Sequence, residues 1–124
     1  MTTYKVTVKE YGTFFWHLNG LLHRLDGPAI EGANGSKSWF QNGKYHREDG
    51  PACEWPNGSK FWYLNGQRHR EDGPACEWPN GSKLWYMNGK ELTEAEFNER
   101  MNPAKEMTVA ELEAALGHKI KVVK

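Results

Sequence analysis

The residues best equipped for chemistry come as one constellation that occurs three times: His23-Arg24-x-Asp26, His46-Arg47-x-Asp49 and His69-Arg70-x-Asp72. An imidazole titrates near neutral pH and ligates metals, so a row of three beside carboxylates is material for a proton relay or a metal site. A guanidinium forks onto carboxylates and phosphates, so Arg24, Arg47 and Arg70 are material for anion capture. Against both stands the repetition itself. A catalytic site needs one asymmetric cluster, whereas a role present at every period is what structure demands. Asp before Gly-Pro forms turns, Arg can pair with the Asp two positions on or with that of a neighbouring repeat, and His23, His46 and His69 can stack on an opposed Trp. The structural reading outweighs ligand contact, and ligand contact outweighs catalysis. No resident metal and no cofactor are expected.

Aromatic rows offer a second kind of site. Trp16, Trp39, Trp62 and Trp85 recur once per period. Such a ladder can stack bases or sugars, but it reads first as the core of a thin sheet. Phe40, Tyr63 and Tyr86 are expected on the other face with Arg47 and Arg70, where aromatic plus Arg is the composition of interface hot spots and nucleotide-stacking pockets. Trp55 and Trp78 precede Pro-Asn-Gly turns, and the first copy has Gly32 there, so this pair is free to pack on the C-terminal helices or to form an interface. Cys53 and Cys76 correspond to Ile30, which points to packed, reduced thiols. Neither GxSxG, GxxxxGK[ST] nor HExxH occurs, and Ser36, Ser59 and Ser82 belong to the turn Asn-Gly-Ser-Lys.

The elements that position these residues follow from the repeat. HRLDGPAIEGANGSKSWFQNGKY, HREDGPACEWPNGSKFWYLNGQR and HREDGPACEWPNGSKLWYMNGKE align without gaps at a period of 23 residues. A partial copy, FFWHLNGLL, precedes them at 14–22. Asn-Gly between extended aromatic runs predicts two-residue hairpins, because both central positions of a type I′ turn need positive φ. Asn65-Gly66 read this way sets Tyr63 opposite Arg68 and Trp62 opposite His69. Asn57-Gly58 read the same way sets Cys53 opposite Trp62 and Glu54 opposite Phe61. One face then carries Cys53, Trp55, Trp62, Leu64 and His69, and the other Ala52, Glu54, Phe61, Tyr63, Arg68 and Arg70. The expected fold is mainly β: an antiparallel meander of about eight short strands over residues 1–90. Residues 91–124 change character. Thr93-x-x-Glu96 and Thr108-x-x-Glu111 are capping boxes that predict two helices, Gly117 ends the second, and KIKVV predicts a short final strand. Phe97, Met101, Val109, Leu112 and Leu116 are the expected cover for one sheet face or one end of the array.

Composition narrows the functions. The 124 residues make one domain, with 38% apolar residues and a mean hydropathy of -0.83, while 13% aromatic content argues for a folded core. Sixteen basic and sixteen acidic residues give no net charge, which counts against nucleic acid. No apolar run approaches the roughly 20 residues that span a bilayer, and no signal peptide opens the chain, so no membrane is expected and the location is read as cytoplasmic.

WPNGSKFWYLNGQRHREDG resembles a MORN repeat in its period, its W-P-N-G turn and its N-G-x-x-H segment. The resemblance covers roughly residues 14–90. Where MORN repeats continue the His with Gly-x-Gly, this chain has Arg-x-Asp-Gly-Pro-Ala, which is similar to tandem HRxDGPA proteins of bacteria and their phages. The resemblance implies a non-enzymatic binding or scaffolding module. A protein partner is expected, with inhibition or sequestration of a host component as the corresponding role. The second reading is capture of a small nucleotide-like ligand by the Arg and aromatic rows. An enzyme would require a deep pocket of non-repeated residues such as Tyr11, His17 or His118. An array that starts mid-repeat also suggests a homodimer through its sheet edges.

Overall fold

The computed structural model describes residues 3–103 and 106–119. Its turns are of two kinds, and they set everything else. Asn19, Asn42, Asn65 and Asn88 have φ of 53°, 52°, 49° and 51°, each followed by a glycine at positive φ. These are the two-residue type I′ hairpins the sequence predicts. The Asn57-Gly58 turn differs. Trp55 N–H donates to Ser59 O at 3.0 Å, Gly58 N–H donates to Trp55 O at 2.9 Å, and only Gly58 has positive φ, at 96°. That is a three-residue loop with a bulge at the glycine.

The extra loop residue shifts the register by one. Cys53 pairs with Phe61 and Glu54 with Lys60, in place of the expected Cys53–Trp62 and Glu54–Phe61. A one-residue shift turns every side chain to the other face. Cys53 therefore stands opposite Phe61, and Glu54 reaches Arg47, which lies over Trp39. The same loop recurs at Gly32–Ser36 and Trp78–Ser82, and also at Lys9–Thr13, where no Asn-Gly marks it. The partial copy thus reaches back to Lys9.

Fourteen strands are present among the described residues: β1 (Tyr4–Val8), β2 (Phe14–Leu18), β3 (Leu21–Leu22), β4 (Ile30–Glu31), β5 (Lys37–Ser38), β6 (Phe40–Gln41), β7 (Lys44–Tyr45), β8 (Cys53–Glu54), β9 (Lys60–Phe61), β10 (Tyr63–Leu64), β11 (Gln67–Arg68), β12 (Cys76–Glu77), β13 (Lys83–Met87) and β14 (Lys90–Leu92). The long sheet runs β1-β2-β4-β5-β8-β9-β12-β13-β14, with β3 on β2, all antiparallel. β6–β7 and β10–β11 are separate hairpins. The count exceeds eight in part because two strands break at Trp39 and Trp62, whereas β2 and β13 run through Trp16 and Trp85. Trp39 N–H donates to Ala52 O at 2.7 Å, and Trp39 O accepts from His46 N–H at 3.0 Å. The Trp is the corner at which the chain leaves the long sheet and enters its hairpin.

The ladder sorts side chains into two rows. Ile30, Ser38, Cys53, Phe61, Cys76 and Leu84 follow one another across the strands, and so do Glu31, Lys37, Glu54, Lys60, Glu77 and Lys83. The first row packs and the second is polar with alternating sign. Ala29, Ala52 and Ala75 are fully buried. Cys53 and Cys76 are buried and free, and burial raises both thiol pKa values, as expected of packed thiols.

Both capping boxes form. Thr93 caps α1 (Glu94–Met101) and Thr108 caps α2 (Val109–Leu116), which ends at Gly117 in the left-handed region. α1 packs on β13 and β14 and buries Phe97. The cover expected of α2 is not provided: it buries no residue, and Val109, Leu112 and Leu116 remain exposed. The strand expected in KIKVV runs past Lys119, outside the described residues.

The turn chemistry predicts the outcome of two substitutions. Asn65→Gly leaves the urea unfolding midpoint close to wild type. Asn65→Ala destabilises by about 1 kcal/mol, because alanine has no local hydrogen bond to offset the left-handed backbone.

Candidate functional site

The His-Arg-x-Asp rows come together as expected, but their groups face one another. Arg47 lies over the Trp39 ring with Cζ 3.8 Å from its centroid. Its Nε donates to Asp49 Oδ1 at 2.9 Å, its Nη1 to Pro51 O at 3.1 Å, and Glu54 Oε1 lies 3.6 Å from Nη1. Arg24 repeats this on Trp16, Asp26, Pro28 and Glu31, and Arg70 on Trp62, Asp72, Pro74 and Glu77. The Gly of Asp-Gly-Pro is there for the guanidinium: a Cβ on Gly50 would fall 3.0 Å from Arg47 Cζ. Hydrogen bonds from the three Arg hold the Asp26, Asp49 and Asp72 carboxyls below their ordinary pKa. Arg47 and Arg70 were expected on the face of Phe40, Tyr63 and Tyr86; strand alternation ends at Tyr45 and Arg68, and past those strand ends the two guanidiniums lie over Trp39 and Trp62 instead. It is Arg, not His, that stacks on Trp.

The imidazoles tie one repeat to the next. His23, His46 and His69 are buried at 7%, 8% and 8% exposure. Their Nδ1 atoms accept the backbone N–H of Asn42, Asn65 and Asn88 at 2.9, 3.0 and 2.9 Å. An accepting Nδ1 fixes the proton on Nε2, which in His46 and His69 faces Glu48 and Glu71 at 3.4 and 3.3 Å. The array ends where this device is replaced. Leu92 and Thr93 stand 23 residues after His69 and Arg70. Leu92 is buried, with no later turn to receive, and Thr93 caps α1.

The aromatic row is only partly a surface. Phe40 is buried at 8% exposure, contrary to its expected place on the exposed row, because Tyr45 packs on it at 4.2 Å between centroids. Tyr63 and Tyr86 are half-buried. The cation beside them is Arg68, whose Nε donates to Tyr63 Oη at 3.2 Å and Nη1 to Tyr86 Oη at 3.4 Å. The Tyr63 bond raises its pKa above the ordinary value. Arg68 was placed on this face from the sequence but not singled out. Its signal is a break in the period, since Leu22, Tyr45, Arg68 and Glu91 occupy equivalent positions.

Two grooves lie between successive His-Arg-x-Asp loops, of about 590 and 520 Å³. Asp26, Glu48 and Asp49 line the first with Trp39; Glu48, Asp49, Glu71 and Asp72 line the second with Trp62. The side chains of Glu48, Asp49, Glu71 and Asp72 are 73–85% exposed. Elsewhere, His17 lines a depression with Thr3, Lys5 and Thr7, which neither Tyr11 nor His118 joins. No group of three or more His, Cys, Asp or Glu able to hold a metal ion occurs among the described residues. No described helix is long and apolar enough to cross a membrane. No family model, curated protein or solved structure matches the chain.

Two outcomes follow. His46→Leu fits its site, as Leu92 does two periods on, but leaves the Asn65 N–H without its acceptor. It destabilises the array by about 1–3 kcal/mol in urea unfolding. The second concerns acid. A carboxyl held below its unfolded value of 3.8 stabilises the fold above that pH, and the contribution disappears as pH falls through the folded value. The urea midpoint therefore drops below pH 3.8, and Asp49→Asn with Asp72→Asn makes that drop shallower.

Proposed function

We propose that this chain is a non-enzymatic binding module that engages a protein partner through the grooved face of its repeat sheet. The observation that carries the reading is the use of charge within the repeat. Each Arg of the constellation is engaged by its own Asp, a carbonyl and a neighbouring Glu, so the cations serve the scaffold. What faces solvent around the grooves is carboxylate, at Glu48, Asp49, Glu71 and Asp72, beside the half-buried Trp62 and Leu64. Two similar grooves one repeat apart suit an extended polypeptide with basic residues at a matching spacing. Saturated guanidiniums lend little support to capture of a nucleotide-like anion.

The resemblance to MORN arrays supports the same class of role. With the similarity to bacterial and phage HRxDGPA proteins, it favours an accessory protein that inhibits or sequesters a host component in the cytoplasm.

The test is a pulldown from bacterial lysate at low and high salt, with wild type and a Glu48→Lys, Glu71→Lys variant. Small molecules released on denaturation are analysed by mass spectrometry alongside. A stoichiometric basic protein that elutes with salt and is lost in the variant is the expected result. A released small molecule without a protein partner, or a partner that ignores both substitutions, overturns the proposal. Thermal unfolding of the variant matches wild type, because both side chains are largely exposed.

A further inference from the structure

The face opposite the grooves carries a charge pattern that is its own complement. Tyr63 pairs with Arg68 across β10–β11, and Tyr86 pairs with Glu91 across β13–β14. Directly opposed residues share a face, so the four side chains stand on one surface. Phe61 and Trp78 extend it, with ring centroids 5.5 Å apart, and Tyr45 stacks on Tyr63 at 4.9 Å. Arg68 lies between the two tyrosines, 5.9 and 5.3 Å from their ring centroids.

Two features separate this patch from the periodic scaffold. Arg68 and Glu91 occupy the position held by Leu22 and Tyr45 in the earlier copies, so neither charge is needed to build a repeat. Arg24, Arg47 and Arg70 each pair with an Asp and a Glu, whereas Arg68 meets only phenol oxygens and rings, and Glu91 joins no ion pair among the described residues. A half-buried guanidinium without a carboxylate is an incomplete interaction.

The missing carboxylate is present on the same face one period on, with Tyr86, which bonds Arg68 and pairs with Glu91, between the two charges. A two-fold axis through the midpoint of the two charges exchanges their positions. If a second copy packs face to face with the axis beside Tyr86, Arg68 of each meets Glu91 of the other. Tyr63, Tyr86, Phe61 and Trp78 then lie between the two pairs. A partner of uniform charge would match one residue and oppose the other. We therefore propose that the Tyr63–Arg68–Tyr86–Glu91 face is a self-association surface that seats a second copy of this chain through two reciprocal Arg68–Glu91 pairs. The surface is a sheet face that ends at β14, at the far end of the long sheet from the β1 edge, and the grooves are lined by other residues.

Sedimentation velocity over a range of concentrations tests it with four proteins. Wild type is expected to dimerise. Arg68→Glu and Glu91→Arg each set like charges opposite one another and weaken the dimer by more than about tenfold. The double variant Arg68→Glu, Glu91→Arg restores it, and so does an equimolar mixture of the two single variants, as a heterodimer. A wild type that stays monomeric, single variants that dimerise as wild type does, or a double variant that stays apart each overturns the proposal. The second result would place the dimer elsewhere, with the β1 edge as the next surface. Glu91 is exposed, so should Arg68→Glu fail to fold, Glu91→Arg and Glu91→Gln decide: reversal must dissociate the dimer and neutralisation must weaken it less. The grooves play no part in this experiment, so its failure is distinguishable from failure of the binding role.

Discussion

Strands two residues long cannot hold a sheet by their own ladders, and that constraint governs the whole array. Ten of the strands are of this length. The repeat compensates with side chains that reach across periods. His46 accepts the Asn65 N–H of the next hairpin, while the Arg47 N–H donates to Tyr63 O at 3.1 Å and the Gly66 N–H donates to Tyr45 O at 2.8 Å. Arg47 also lies over Trp39 of the preceding copy and gathers Asp49, Pro51 and Glu54 around itself. Such a guanidinium is at once a packing group and a charge, which lysine cannot imitate. The polar residues that first suggest chemistry are therefore the means by which a sheet with few large apolar residues in its core stays folded.

Much of this was legible in the sequence. The period, the type I′ hairpins, the capping boxes, the antiparallel meander and the placement of Tyr63 opposite Arg68 follow from residue types at fixed spacings. The error came from one dipeptide used in two ways. Asn65-Gly66 and Asn57-Gly58 are the same two letters, yet the second closes a three-residue loop in which only the glycine has positive φ. One residue of register then moved Cys53 and Glu54 between faces, while Arg47 and Arg70 reach the tryptophans because alternation stops where β7 and β11 end. The Lys9–Thr13 loop escaped notice for the converse reason: its geometry matches the repeat, while Glu10-Tyr11-Gly12 carries no recognisable turn pair. Burial of Phe40 depends on a neighbour, Tyr45, that the later copy lacks.

The two faces divide the labour of charge. On the tryptophan side every copy repeats the same pairing, and the excess carboxylate collects at the grooves. On the tyrosine side the repeats diverge, and the equivalent positions read Leu22, Tyr45, Arg68 and Glu91 in turn. Periodicity marks what the scaffold requires. Departures from it mark where the chain is free to acquire a partner.

The end of the array is written in the same code as its interior. His at one position asks for another hairpin, because a buried acceptor must find a donor; Leu92 at that position asks for none. Arg at the following position gathers a loop, and Thr93 there starts a helix. The array thus behaves as a directional polymer with its own chain terminator, and its length is set by two adjacent residues rather than by the fold as a whole. A lineage carrying such a repeat can lengthen or shorten its sheet by duplicating or deleting whole periods upstream of Leu92, without redesigning the cap.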